Sequence, residues 1–477
     1  MFLEMIKAFV LFLVFVVLYC LFGFLFRGAN EEKAFLRNYF LANRGLNFFV
    51  MALVVASSYV SASSFISGPS AVYKYGLSFI FLAVIQIPTS LISFVIVGEK
   101  LNLESKKINA INIIDYIGYR YLSRSLVLIS SFILIFFSLF MISAQLMGGA
   151  KLLEVFFQIS YIDALIFFSL FVFVYVCFGG FRMIAYMDLI QGILMIIASV
   201  LLFSKLIDLG DGISNLFKMA QLGLKEELLL PSNLDLNMGY IISFWILIGV
   251  GILGLPQFVN NFIAFKDVIA IRCSLPIVTF VIGFLVVIMH LIGFFSLVIF
   301  PKLEINDKVI LNVALEVLNP NVFVFFFVGL LSAIMSTIDS GLLLLSSTLV
   351  KAILSLNKNV KDKIGIKRIT IISNVCFVLI IVWLSLTPPD FLFFINIFAI
   401  GALEVSFFSI IVFGLYFNFV SKISAFVSQF LGLLSYLLII FCDKKSIYHF
   451  HPIVPSFFIS VCSFLIVNFI CQKCSKI

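Results

Sequence analysis

The sequence predicts an all-α integral membrane protein, and three observations carry that prediction. Of the 477 residues 63% are hydrophobic and only 11% charged, too little polar side chain to cover a water-soluble fold. Apolar stretches of roughly 20 residues, enough helix to cross about 30 Å of hydrocarbon, follow one another along the chain. None shows the period of two of a barrel strand, and a lipid-facing backbone must satisfy its own hydrogen bonds, so the stretches are helices.

Thirteen spans are expected: 5 to 26, 47 to 73, 77 to 97, 125 to 149, 160 to 181, 186 to 207, 238 to 260, 274 to 299, 321 to 350, 368 to 388, 391 to 417, 422 to 441 and 453 to 471. The first lacks a basic n-region and a small-residue cleavage site, whereas Arg27, Lys33, Arg37 and Arg44 follow it. It therefore reads as a retained helix with its amino end outside. That orientation puts roughly two-thirds of the 31 Lys and Arg on the inner side, with the carboxyl end inside as well. The net charge of +8 is then mostly a topology signal and calls for no nucleic-acid partner. The expected location is a bacterial inner (plasma) membrane, with the lipid bilayer as the surrounding partner.

The longest connections, 27 to 46, 98 to 124 and 208 to 237, are too short for an independent core. Cys471 and Cys474 form a lone CxxC without a second ligand pair, which argues against a metal site there.

Two spans are interrupted. The second reads "MALVVASSYVSASSFISGPSAVY", a serine-rich run leading into Gly68 and Pro69; the seventh reads "WILIGVGILGLPQFVNN", with Gly249, Gly251, Gly254 and Pro256. Five spans separate their starts, and an odd number of spans per unit inverts the second unit. Many secondary transporters consist of two such inverted units, each opening with a broken helix, with solute and ions held where the breaks meet. Small residues are also common at plain membrane-helix contacts. On the transporter reading the chain divides into an extra helix and inner loop (1–46), a first repeat (47–207), an outer loop (208–237), a second repeat (238–417) and two closing helices (418–477). Helices 2–6 and 7–11 form the core.

The ninth span carries "GLLSAIMSTIDSGLLLLSST". At 100° per residue Ala333, Ser336, Thr337 and Ser340 share one face, and Leu331, Ile334, Ile338, Leu342 and Leu345 lie opposite. An isolated hydroxyl in a membrane helix is usually satisfied by the backbone one turn earlier, but these cluster. Na⁺, a hard cation, takes oxygen ligands, which hydroxyls and carbonyls released at a helix break supply without a fixed charge. A cation site between the second span near Ser57 to Ser61 and the ninth span is the expectation. Embedded carboxylates are costly and therefore functional suspects: Asp188 first, then Asp339 and Glu404. His290 reads as a neutral core histidine bonded to a backbone carbonyl.

"YFLANRGLNFFVMALVVAS", "NIIDYIGYRYLSR", "AQLMGGAKLLE", "GGFRMIAYMDLIQG" and "AIMSTIDSGLL" resemble, in order and along nearly the whole chain, the motifs of the sodium/solute symporter family. "SASSFISGPSAVYKYGLSFIFLAVIQIP", "PPDFLFFINIFAIGALE" and "FHPIVPS" are most similar to its pantothenate carriers, so pantothenate is the expected solute, with proline or a monocarboxylate as the alternative. The resemblance implies a Na⁺ site made by the carbonyls of Ser57, Val60 and Ala333 and the hydroxyls of Ser336 and Thr337, with Asp188 helping the ion pass. Ser64 matches a solute-contacting position; Ser61 and Ser63 are expected beside it as donors, with Phe65 and Trp245 against the methyl groups. Where relatives have arginine after the "GLP" break this chain has Asn261, which puts an inner-gate ion pair in doubt. A membrane enzyme is disfavoured because no paired carboxylates or Ser/His/Asp grouping occurs, and a channel because no charge rings occur.

Overall fold

The computed structural model describes residue 14 and residues 35–178, 180–231, 236–305, 307–356, 363–389, 392–442 and 451–474. The first expected span, 5 to 26, lies outside the described residues apart from Val14. Among the described residues every regular element is helical. Nine helices among the described residues are long and apolar enough to span a membrane, or eleven if each of two bent pairs counts as one span. The count of thirteen is thus not reproduced over the described residues.

After α1 (Phe35–Leu41), which precedes the expected first repeat, come α2 (Phe48–Tyr59), a π turn at Ser63–Ser67 and α3 (Gly68–Tyr75). The repeat continues with α4 (Leu77–Lys107), α5 (Ile113–Tyr121), α6 (Arg124–Phe157), α7 (Tyr161–Phe178) and α8 (Phe181–Leu209). After α9 (Ile213–Gly223) the second repeat opens with α10 (Met238–Gly254) and α11 (Pro256–Ala264), bent at 47°. Then come α12 (Val268–Ile299), α13 (Val309–Val317), α14 (Pro320–Leu356), α15 (Lys363–Leu384) and α16 (Leu392–Tyr416), and finally α17 (Lys422–Cys442) and α18 (Ile453–Cys474).

Polar residues at the span ends start these helices by taking up orphan amide hydrogens. Asn47 accepts from Phe49 N–H at 3.3 Å, Asn237 from Tyr240 N–H at 2.9 Å and Asp267 from Ala270 N–H at 2.7 Å. The connections expected as loops are themselves partly helical: α1, α5, α9 and α13 lie in them.

The packing has an internal symmetry. In the first repeat α2 packs on α8; in the second the last turns of α10 pack on α16. Helix α6 packs on α16 as α14 does on α8, and α6 and α14 pack on each other. Corresponding helices of two five-span units thus keep corresponding partners, which brings both breaks to the centre, beside α6 and α14. Helices α17 and α18 pair outside this core, against α16.

Candidate cation and solute site

Helix α2 ends because its next amide hydrogens are taken elsewhere. Val60 is extended, with φ −79° and ψ 111°. Beyond it Ala62 N–H donates to Gln145 Oε1 of α6 at 2.9 Å, Ser63 N–H to Ser61 Oγ at 3.3 Å and Ser64 N–H to the Ser61 carbonyl at 2.9 Å. In an unbroken helix those three amides would bind the carbonyls of Ser58, Tyr59 and Val60, so the break releases those oxygens. The Ser57 carbonyl accepts the Ser336 hydroxyl of α14 at 2.9 Å. Ser336 and Thr337 each also donate to the Ala333 carbonyl, both at 3.2 Å. Ser57, Ala333, Ser336 and Thr337 are therefore brought together from segments almost 280 positions apart, all buried.

Asp188 lies on α8, the helix that packs on both α2 and α14. It is wholly buried, and neither carboxylate oxygen has a hydrogen-bond partner. Asp339 of α14 is within electrostatic reach of it. Contacts at the helix glycines give the register: Gly192 faces Leu53 and Gly329 faces Leu194 and Ala198. With α8 and α14 antiparallel, Asp188 and Asp339 fall on the Ser336 and Thr337 stretch or about a turn beyond it, toward the end marked by Tyr39 and Gly180.

Next to the cation candidates is a cavity of about 90 Å³. Ser61, Ser63 and Ser64 line it, together with Ser58, Tyr59 and Thr337. Phe65 is fully buried and Trp245 donates its indole N–H to the carbonyls of Phe81 and Leu82; neither lines the cavity. Among the lining residues that sequence reasoning missed are four amides: Gln86, Gln145, Gln257 and Asn396. Asn396 Nδ2 donates to Ser63 Oγ at 2.8 Å, and Gln257 Nε2 to Ser340 Oγ at 3.1 Å. A glutamine or asparagine inside an apolar span was the available signal, since a buried amide demands partners.

The missing arginine leaves a buried amide: Asn261 Nδ2 has no hydrogen-bond partner. The buried guanidinium nearby is that of Arg44, which donates to the carbonyls of Ile263 and Ala110, both at 2.9 Å. His290 bonds the Val286 carbonyl at 2.7 Å and packs against Gly68, a structural role. Sequence reasoning also missed Asp307, buried beside the second half of the broken helix. It accepts from Ser67 Oγ at 2.7 Å, Leu392 N–H at 2.9 Å and Lys151 Nζ at 3.3 Å. Among the described residues no three His, Cys, Asp or Glu side chains cluster as a metal site.

The family model for the sodium:solute symporter family matches residues 39–432. A sodium/pantothenate symporter of Haemophilus influenzae is 36% identical over 472 residues, 98% of this chain and 96% of its own length. That of Escherichia coli is 32% identical over 444 residues, 92% of this chain and 91% of its own. Among solved structures, a Na⁺-coupled sialic acid symporter in a substrate-bound outward-open state superposes with a TM-score of 0.79 at 16% identity, over 97% of both chains. Mhp1, a nucleobase-cation-symport-1 family transporter in a closed conformation, gives 0.58 at 16% identity over 91% of this chain and 94% of its own. The fold, with its two broken helices, is that of these transporters. The chain belongs to the sodium:solute symporter family: it is a multi-pass Na⁺-coupled symporter, not an enzyme.

Proposed function

We propose that the chain carries pantothenate into the cell with Na⁺ by alternating access, across a bacterial inner membrane, with its carboxyl end cytoplasmic. The observation that carries the cation half is the junction of Ser336 Oγ with the Ser57 carbonyl, at 2.9 Å, beside a broken helix. On this reading Na⁺ is held by the carbonyls of Ser57, Val60 and Ala333 and the hydroxyls of Ser336 and Thr337. Binding turns the Ser336 proton away from Ser57, and both oxygens then face the ion. The ion joins α2 to α14 and favours the form open to the outside; Asp188, toward the opposite end, receives it on the way in.

The solute half rests on chemistry and on the relatives named sodium/pantothenate symporters. Pantothenate has a carboxylate, an amide, two hydroxyls and a pair of methyl groups. The cavity offers serine hydroxyls and four carboxamides for the polar groups, and Met141, Ile252, Leu255, Phe258 and Ile400 for the methyls. Ser61, Ser63 and Ser64 are the expected donors to the solute. A cavity of about 90 Å³ is well below the several hundred Å³ usual for small-molecule sites, so loading requires the helices around the breaks to separate.

Uptake of labelled pantothenate into proteoliposomes, with and without an imposed inward Na⁺ gradient, tests this. Gradient-dependent accumulation that excess unlabelled proline leaves unchanged is expected. Accumulation of proline in place of pantothenate, or none of either, defeats the solute assignment.

A further inference from the structure

Glu404 is the embedded carboxylate that the reading above leaves unused. It lies in the middle of α16, wholly buried, and neither carboxylate oxygen has a hydrogen-bond partner. No Lys, Arg or His among the described residues is paired with it. Among the described residues, the hydroxyls of Tyr59 on α2 and Tyr436 on α17 are within electrostatic reach of it. A buried charge without a partner costs several kcal/mol, and within a membrane such a residue is a functional suspect by default.

Opposite Glu404 stands the break in α10. A methyl group at Gly251 would collide with its carboxylate. The winding changes at this glycine: Gly251 N–H binds the Ile246 carbonyl, five residues back, whereas Leu255 N–H binds Ile252, three back. Between those bonds the five carbonyls of Leu247 to Gly251 meet only three amide donors, those of Ile252, Leu253 and Gly254. Two carbonyls are left over. The Thr89 hydroxyl takes that of Ile248 at 3.2 Å, which leaves another. Ile252 and Ile400 line the solute cavity; Gly251 adjoins the first and Glu404 is one turn beyond the second, so this oxygen cluster is one layer behind the cavity wall.

We propose that Glu404 and the carbonyl left over at the α10 break form a second Na⁺ site, reached from the solute cavity. An all-oxygen set with one formal charge suits a hard monovalent cation. The placement repeats that of Asp188, since α8 packs on the α2 break as α16 packs on the α10 break. This deepens the carrier reading and rests on it for its consequence: one Na⁺ with one pantothenate anion moves no net charge, whereas two make the step electrogenic. The membrane potential then adds about fifty-fold in accumulation per 100 mV.

The test is equilibrium binding of radioactive Na⁺ to the purified full chain in detergent, without solute. Two ions per wild-type chain are expected, one in E404Q and one in S336A. One ion in the wild type, or two retained in E404Q, overturns the proposal. Should E404Q fail to fold, E404D keeps the charge but draws it back by a methylene; an unchanged Na⁺-over-Li⁺ preference at both sites overturns it equally. If reversal measurements give one net positive charge per pantothenate anion while one Na⁺ binds, the second cation is a proton and the Na⁺ site is refuted. Because the binding assay contains no pantothenate, its failure is separate from failure of the solute assignment, which appears as absent wild-type uptake.

Discussion

The two broken helices hold corresponding places in the two repeats, yet they break by different chemistry. The first, between α2 and α3, is rich in serine, and its displaced amides are satisfied by side chains: Gln145 for Ala62 and Ser61 for Ser63. Its Ser57 carbonyl is held by a hydroxyl on α14. The second, between α10 and α11, is rich in glycine. It breaks by a change of winding, and its glycines admit neighbours at backbone range: Gly251 against Glu404 and Gly254 against the Phe408 backbone. A serine-rich break brings hydroxyls as well as released carbonyls, whereas a glycine-rich break brings carbonyls alone and depends on a neighbouring helix for any further oxygen. The halves beyond the breaks are also held differently. Ser67, just before α3, is tied to Asp307 and through it to Lys151 and Leu392, while Asn260 of α11 accepts Ile113 N–H at 3.0 Å.

The comparison can be broken most forcefully at Asp188. Replacing it with Asn keeps the shape and removes the charge beside the serine-rich break; Na⁺-driven uptake is expected to fall more than about a hundred-fold, as for an ion-path carboxylate. Normal uptake with normal insertion reduces Asp188 to a packing group. Asp307→Ala comes next. It removes the acceptor shared by Lys151, Ser67 and Leu392, and breaking a buried pair of this kind costs about 3–5 kcal/mol. Thermal unfolding in detergent reads that loss, and a melting temperature equal to the wild type's means that the clasp carries no stability.

Thr337→Ala and Ser336→Ala each delete one hydroxyl, at about 1–3 kcal/mol for a buried polar partner, so the half-saturating Na⁺ concentration is expected to rise about ten- to a hundred-fold. An unchanged Na⁺ dependence in both removes them from the site. The smallest effect is expected from Gln145→Leu, which strips the Ala62 amide of its side-chain acceptor as a lost helix cap does, at about 0.5–2 kcal/mol. It should lower stability while leaving Na⁺ affinity within about three-fold. A larger change in affinity places Gln145 in the ion's own environment.

Much of the site was legible in the chain. Helical periodicity places Ser336, Thr337 and Ser340 on one face whatever surrounds them, and the Ser-Gly-Pro and Gly-Leu-Pro runs announce the breaks, because these residues do not continue a helix without cost. Periodicity says nothing about which helix lies opposite, so Gln145, Gln257 and Asn396 went unnoticed as lining residues, and Phe65 and Trp245 were expected in a cavity that they do not reach. Asp307 carries no signal in the sequence because its partners Ser67, Lys151 and Leu392 are remote along the chain.

The sequence by itself determined the membrane class, the helical spans, the two interruptions and the hydroxyl face of the ninth span, because hydrocarbon length, backbone hydrogen bonding and helical period act locally along the chain. Only the tertiary structure decided which groups meet: that Ser336 reaches the Ser57 carbonyl, that Asp188 stands without a partner near Asp339, and that the Glu404 carboxylate lies against Gly251 at the α10 break. A ligand set is a matter of distances between segments far apart in the chain, and those distances are set by how whole helices pack.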